Sequence, residues 1–301
     1  MMYNVIVWGN RTNYDFNKKW LEVEILKNNM QIVGIVFNEK GLFKKIDDIE
    51  VLDIESLLCL EYDYIIDMNE NAQDKVCRII ELLQISREMI IPIRIFRQPF
   101  FDLDRWVKDK KENVSIISSH CWGGVVYNTL GLPFASPTIN MFFPIDDFLK
   151  MAKNVKHYMN ESLELIREEY EVNLQRNYPV VKLDDIVIHC NHYRNFVEAE
   201  QTWERRKQRI NYESIFIEMT AKTHEQIAEF LRLPYEKKIC FTALPCNETN
   251  VVSIYNQQFQ NLYGDREWQF ALGTASEHFS ECKQYDLLKL LSGETNFFRV
   301  V

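Results

Sequence analysis

The chain has 301 residues, of which 47% are hydrophobic and 26% charged, an ordinary composition for a globular protein. A length of this order predicts about two domains. These figures exclude a disordered tail, a collagen-like fibre and a bundle of membrane helices.

The charge of the chain is moderately acidic, with 35 basic and 44 acidic side chains and a net charge of −9. Both halves share this excess of acid, so no basic domain is present to follow a nucleic-acid backbone. Seven cysteines without a CxxC pair argue against a disulfide framework and a zinc ribbon. The sequence shows no cleavable leader and no apolar run of about 18 residues. We therefore expect a cytoplasmic protein without a membrane span.

The first part of the chain alternates β-rich runs with amphipathic segments, which predicts parallel strands joined by helical crossovers. The helix predicted over 16–29 has Trp20, Val23 or Ile25, and Leu26 as its apolar positions. Pro92 within the last run indicates an edge strand or a bulge. The predicted strands cover 4–8, 31–37, 49–52, 62–68 and 89–96, and further helical segments cover 54–60 and 72–83.

A polar helix predicted over 102–111 joins two series of elements, so we divide the chain into an N-terminal domain, 1–110, and a second domain, 111–301. The second series begins with a strand over 114–117 and a helix that Gly131 ends. The fold class is α/β, with two Rossmann-like domains whose mostly parallel sheets are flanked by helices. Further helices are predicted over 145–159, 163–175, 196–210 and 224–231, and strands over 186–190, 214–219 and 238–242.

The turn after the first strand, which begins with Gly9 and Asn10, stands where a dinucleotide-binding fold carries GxGxxG. The glycines that allow close approach to a pyrophosphate and close helix packing are missing. A scaffold without a cofactor is therefore favoured over an NAD site at Gly9 and Asn10, and the cofactor is left unassigned.

The sharpest motif follows the strand over 114–117. A turn with paired glycines before a helix exposes backbone N–H groups and the positive end of a dipole, which suits a phosphate or carboxylate. Cys121 beside the helix start predicts a thiol of lowered pKa and thus a nucleophile. The alternative is a tight turn with an inert thiol. The residues of this motif are Ser118, Ser119, His120, Cys121, Trp122, Gly123 and Gly124.

A third motif spans 186–209. His189 and His192 lie on opposite faces if the strand continues through them, so we predict no metal site there. Asn195 fits the N-cap of the following helix. Arg206 and Arg209, one turn apart, suit a clamp on one anion. The alternative is a solvated basic face.

The pattern Asp102-Leu103-Asp104 matches a DxD motif, which in some sugar-nucleotide enzymes holds a divalent ion. Two aspartates before a helix are more often charges at its N-terminus. We favour the helix-end interpretation.

Three signatures together resemble a bacterial family of unknown function. They are the Cys-Trp-Gly-Gly turn at 121–124, the Ser-Pro-Thr loop at 136–138 and the Trp-x-Arg-Arg-x-x-Arg helix at 203–209. Members of that family are often loosely described as exopolysaccharide or capsule biosynthesis proteins. The resemblance covers roughly residues 112–245 and implies a role around surface polysaccharides.

Ligands of parallel α/β sheets collect beyond the carboxyl ends of the strands. We therefore expect the turn at 118–124 and His192 to converge, with Arg206 and Arg209 supplying charge and the loop 133–138, including Ser136 and Thr138, forming a wall or lid.

The leading function is a transferase-like enzyme acting on a phosphorylated or nucleotide-linked sugar, with His120, Cys121 or His192 in catalytic roles. A non-catalytic binding or scaffolding protein of glycan assembly and an NAD-linked oxidoreductase are the alternatives. The expected partner is a small anionic sugar or nucleotide sugar and not a nucleic acid, and an oligomer is left open.

Overall fold

A computed structural model describes residues 2–37, 44–69, 83–255, 266–276 and 285–297. The chain divides into two units, Met1–Val107 and Lys108–Val301, each of which is described by itself. The predicted α/β class with mostly parallel sheets is confirmed. The helix predicted over 72–83, except its last residue, lies outside the described residues, as do Asn38 and Glu39 after the second strand.

The first unit contains a six-stranded sheet of order β3-β4-β2-β1-β5-β6. The pairings are parallel except that of β3 with β4. Pro92 ends β6 at the edge of the sheet, as predicted, because proline cannot donate to a central ladder. The strand predicted over 89–96 is shorter, since a 3₁₀ turn follows at Ile93–Arg97. The strands are β1 Tyr3–Gly9, β2 Met30–Phe37, β3 Lys45–Ile46, β4 Ile49–Leu52, β5 Tyr64–Asp67 and β6 Ile90–Pro92.

Helix α1, Arg11–Leu26, follows β1 and turns an unexpected face toward the sheet. Its buried residues include the polar Asn17 and Glu24, and Glu24 accepts hydrogen bonds from Lys27 and from the backbone of Leu103. The predicted inward positions were wrong. The helix instead buries Tyr14, Asn17, Leu21 and Glu24. The apolar residues named for the inward face are therefore exposed: Trp20, Val23, Ile25 and Leu26.

The second unit contains a parallel four-stranded sheet of order β13-β12-β11-β7 and an antiparallel three-stranded sheet of order β10-β9-β8. Their strands are β7 Ser115–Ser118, β8 Glu164–Glu171, β9 Arg176–Leu183, β10 Ile186–His189, β11 Ile215–Ala221, β12 Lys238–Thr242 and β13 Val251–Ser253. The helices that follow α1 are α2 Leu103–Glu112, α3 Trp122–Leu130, α4 Ile145–Lys153, α5 Val155–Tyr158, α6 Phe196–Lys207, α7 His224–Leu231, α8 Glu267–Ala275 and α9 Leu287–Leu291.

The segment predicted as a helix over 163–175 is instead strand β8 and part of the turn to β9. Its glutamates, leucine and arginine have good helix propensity, but pairing with β9 overrides it. The helix predicted over 145–159 is divided at Asn154, whose non-helical backbone (φ −147°, ψ 63°) ends α4 and whose side chain caps α5.

Helix α3 lies close against β7 and against the loop at Ile139 because its first turn contains two glycines. A Cβ on Gly123 would lie 2.9 Å from the Cγ2 atom of Ile116, and one on Gly124 would lie 2.9 Å from the Cγ2 atom of Ile139. At the other end of α3, Gly131 adopts φ +60°, so the predicted C-terminal stop is confirmed. The glycine pair therefore serves close packing of the helix.

We predict that Gly123→Ala lowers the free energy of unfolding by about 1–3 kcal/mol, the usual cost of overpacking. Alanine has the better helix propensity by up to about 1 kcal/mol, so a helix without the close contact to Ile116 would gain stability. Urea unfolding followed by circular dichroism measures the change, and a higher midpoint than that of the parent chain would contradict this account.

Candidate functional site

The turn between β7 and α3 is organised by a buried carboxylate. The Ser118 hydroxyl donates to Glu218 Oε2 over 2.6 Å, with the carbonyl oxygen of His120 also within 2.8 Å. The backbone N–H of Gly123 donates to the same hydroxyl over 3.1 Å. Because Ser118 is paired with Glu218 across β7 and β11, the sheet itself brings the two side chains together.

The imidazole of His120 lies against this carboxylate. Its Nε2 atom is 3.1 Å from Glu218 Oε1, and its Nδ1 atom accepts the Trp122 N–H over 3.4 Å. The facing Nε2 and Oε1 atoms are buried and make no hydrogen bond with the described residues. Both ring nitrogens of His120 thus point into the protein, so His120 supports the turn and does not face a ligand.

Glu218 is the residue that the sequence analysis missed. It lies in the middle of β11 and has no exposed surface. Burying a carboxylate costs several kcal/mol unless partners replace its water. Here Ser118 donates a hydrogen bond to Oε2, and the His120 ring lies 3.1 Å from Oε1 without a hydrogen bond to it. The available signal was one charged residue within the otherwise uncharged strand IFIEMTA.

The structure pairs Cys121 with His192. Cys121 is the N-cap of α3, yet its side chain makes no capping bond, and its Sγ atom lies 3.3 Å from His192 Nε2. His192 follows β10 at the surface, where Arg176 donates to its carbonyl oxygen over 2.9 Å. The predicted convergence of the turn with His192 is therefore present as a thiol–imidazole contact.

Both members of this pair are neutral at rest. Burial, together with the charge of Glu218, raises the pKa of the Cys121 thiol to about 11. The predicted lowering of this pKa was wrong, because these two effects outweigh the positive end of the α3 dipole. Partial burial and the charge of Arg176 lower the pKa of His192. The resting pair is a thiol beside a free-base imidazole.

His189 is separated from this pair by its own contacts. Its ring stacks on Phe142 at 4.3 Å between centroids, and its Nδ1 atom lies 3.2 Å from the Tyr178 hydroxyl. Burial lowers the pKa of His189. Within the described ranges, no group of three or more His, Cys, Asp or Glu side chains has the arrangement of a metal site.

The loop after α3 packs directly beneath the turn. Thr138 Oγ1 accepts the Ser118 N–H over 3.2 Å and lies 3.0 Å from Ser136 Oγ. Both of these side chains are fully buried. Ser136 and Thr138 thus form an inner wall of the turn and not a movable lid.

Arg206 has a different role from the predicted clamp. It is buried, and its Nη1 atom donates to the carbonyl oxygen of Ile139 over 3.1 Å and to the Tyr193 hydroxyl over 2.9 Å. Its guanidinium also stacks over Phe134, 5.5 Å from the ring centroid. Arg206 thus ties α6 to the loop, whereas Arg209 is exposed and only reaches the Phe134 carbonyl oxygen at 3.5 Å.

Two further predicted ligand residues lie inside the protein. Trp122 is fully buried, stacks on Phe216 and donates to Thr274 Oγ1 over 3.1 Å. Ser119 is buried as well, and its Oγ atom accepts the Thr220 N–H over 3.4 Å. These side chains fix the turn from the core side and do not present a surface to a ligand.

In the first unit, Gly9 and Asn10 have structural roles. A Cβ on Gly9 would lie 2.7 Å from Met68 Cβ, so glycine is needed for the close approach of the residue that follows β5. Asn10 Oδ1 accepts the Asn13 N–H over 2.8 Å and caps α1. Asp102 Oδ1 likewise accepts the Arg105 N–H at the start of α2, which agrees with the helix-end interpretation of DxD.

Fold and site define an α/β protein of two units, in which a thiol–imidazole pair lies where a parallel strand meets a helix. The chain belongs to the family described as a domain of unknown function (DUF1919), whose model matches residues 93–289. Residues 1–91 match the model described as C2185-like, N-terminal.

A relative from Haemophilus influenzae, described as an uncharacterized protein, is 34% identical over 154 residues. The match covers 50% of this chain and 71% of the relative. In the described part of the chain, every helix is too short or too polar to span a bilayer.

We predict that Arg206→Ala lowers the free energy of unfolding by about 1–3 kcal/mol, because the Ile139 carbonyl oxygen loses a charged donor. Arg205→Ala is the matched control, since it removes an exposed arginine of the same helix and is expected to stay within about 0.5 kcal/mol. Urea unfolding measures both variants. Equal midpoints for the two would refute the tethering role of Arg206.

We predict that iodoacetamide labels Cys121 slowly at neutral pH, because the thiolate is the reactive form and the thiol pKa is about 11. The rate should climb as the pH rises toward that value. Peptide mass spectrometry follows Cys121, with the exposed Cys59 as the internal reference in the same digest. A rate that levels off near neutral pH would instead reveal a resting thiolate–imidazolium pair.

Proposed function

We propose that the second unit is a transferase-like enzyme of surface polysaccharide assembly that acts on a phosphorylated or nucleotide-linked sugar. The contact of Cys121 Sγ with His192 Nε2 over 3.3 Å carries this proposal. A thiol and a free-base imidazole within hydrogen-bond reach form the arrangement that nucleophile activation requires. The pair also follows the carboxyl end of β7, the edge of a parallel sheet where ligands bind.

Among His120, His189 and His192, the side chain best suited to proton transfer is that of His192. It lies at the surface, and its lowered pKa leaves the ring as a free base at neutral pH. General acid–base catalysis by such a group contributes about 10²–10⁴-fold to a rate. His120 keeps a supporting role, because both of its nitrogens face protein atoms.

Two arginines supply positive charge for an anionic substrate. Arg176 lies close enough to His192 to lower its pKa and donates to its carbonyl oxygen. Arg209 is exposed just beyond the C-terminal end of α6, beside the loop that supports the turn. Arginine favours phosphate groups because its planar guanidinium can donate two parallel hydrogen bonds. The sugar itself is suggested by the family resemblance.

A scaffolding role in glycan assembly is favoured by a separate observation. Strand β8 forms one edge of the three-stranded sheet and is exposed along most of its length. Exposed edge strands are places where another chain can pair. Apolar side chains stand exposed on this strand and the following turn: Leu165, Ile166, Tyr170, Val172 and Leu174.

We predict that a sugar phosphate or a nucleotide sugar raises the melting temperature of the full chain, while NAD leaves it unchanged. A ligand at 100 times its Kd stabilises by about 2.7 kcal/mol. Arg209→Ala should reduce this stabilisation because it removes an exposed cation beside the loop that supports the turn. Differential scanning fluorimetry with glucose 1-phosphate, UDP-glucose and NAD makes the comparison.

Arg205→Ala is the control in this titration, because Arg205 is an exposed arginine in the last turn of α6, the helix that ends just before Arg209. It should bind like the parent chain. If neither sugar ligand stabilises the chain, the proposed function is refuted and the scaffolding role is favoured. Stabilisation by NAD would favour the oxidoreductase.

A further inference from the structure

We propose that Cys121 is a covalent acyl carrier, which accepts an acyl group from an activated ester or thioester and passes it to a hydroxyl of the sugar. This inference rests on the proposed function and names its second substrate, an acyl donor. Its foundation is the thiol–imidazole contact at the start of α3.

The position of Cys121 suits attack on a carbonyl carbon. As N-cap residue, Cys121 holds its sulfur beside the first turn of the nine-residue helix α3. The positive end of a helix dipole stabilises the oxyanion that forms when a thiol adds to a carbonyl group. His192 Nε2, 3.3 Å away, is in place to receive the thiol proton.

The neighbouring groups favour acyl transfer over glycosyl transfer. Glycosyl transfer through an enzyme-bound intermediate uses two carboxylates that flank the sugar bond. The carboxylate of Glu218, which acts on the thiol through its charge, is fully buried and bonded to Ser118. It therefore has no access to a sugar ring. The exposed partner of the thiol is an imidazole, which matches carbonyl chemistry.

The first half-reaction begins with the neutral pair. His192 Nε2 takes the Sγ proton while sulfur attacks the carbonyl carbon of the donor. The bond from that carbon to the leaving group breaks, and the leaving group takes the proton from His192. The products are an acyl thioester on Cys121 and the protonated leaving group, with no change in oxidation state.

The second half-reaction reverses the roles. The sugar hydroxyl gives its proton to His192 Nε2 as its oxygen attacks the thioester carbon. The carbon–sulfur bond breaks, and sulfur recovers the proton from His192. The thiol and the imidazole return to their resting forms, and the sugar leaves as an ester.

Ser118, His120 and Glu218 are positioning residues in this scheme. Their bonds fix the turn that presents the thiol. The raised pKa of Cys121 has a use here, because a neutral thiol resists alkylation and oxidation until a carbonyl substrate and His192 meet it. Arg176 holds the His192 backbone in reach of the sulfur.

The test is acylation of the full chain by p-nitrophenyl acetate. Release of p-nitrophenolate gives the rate, and peptide mass spectrometry gives the acetylated residue. We expect one acetyl group on Cys121, no such adduct in Cys121→Ser, and a rate at least about 10²-fold lower in His192→Asn. Cys246→Ser, which removes a partly buried cysteine outside the pair, should react like the parent chain.

Circular dichroism establishes that each variant is folded. In the parent chain, the rate of acetylation should rise with pH as the imidazole of His192 loses its proton. Acetylation on lysines, or an unchanged rate in Cys121→Ser, would overturn the inference. Sugar-induced stabilisation of the same samples separates the two proposals. If the sugar still stabilises the chain while Cys121 stays unacylated, the acyl step fails and the proposed function stands.

Discussion

The second unit depends on one buried carboxylate. Glu218 occupies a position on β11 that an apolar residue would fill at no electrostatic cost, and it is wholly withdrawn from water. Such a charge is tolerated only when polar partners surround it. The hydroxyl of Ser118 meets this need at Oε2 by a hydrogen bond, and the ring of His120 lies 3.1 Å from Oε1, so the carboxylate determines the course of the turn that follows β7.

From that turn the other contacts follow in sequence. The Ser118 N–H is bonded to Thr138, which places the loop after α3 beneath the turn. One residue further on, Ile139 offers its carbonyl oxygen to Arg206, which joins the loop to α6. Buried polar groups of this kind fix one arrangement, because each would lose a partner in any other. The arrangement is therefore rigid at its base.

The structure assigns supporting and reactive roles to different side chains of the site. The sequence motifs predicted a catalytic role for His120 and an anion-binding role for Arg206. Both side chains instead point inward and contact the backbone. Cys121 and His192 stand at the outer side, where a ligand has access to at least the imidazole. The glycine pair completes this design by letting α3 start close against the sheet, so the thiol is held at the helix end.

Local patterns alone determined the α/β class, the edge position of Pro92, the glycine stop at Gly131 and the N-cap at Asn195, because each depends on a few neighbouring residues. They failed for β8, where pairing with a distant strand overrides helix propensity. Only the tertiary structure decided that Cys121 meets His192 and that Glu218 lies behind them. These contacts join residues far apart along the chain, and burial, which sets their charge states, exists only in the folded protein.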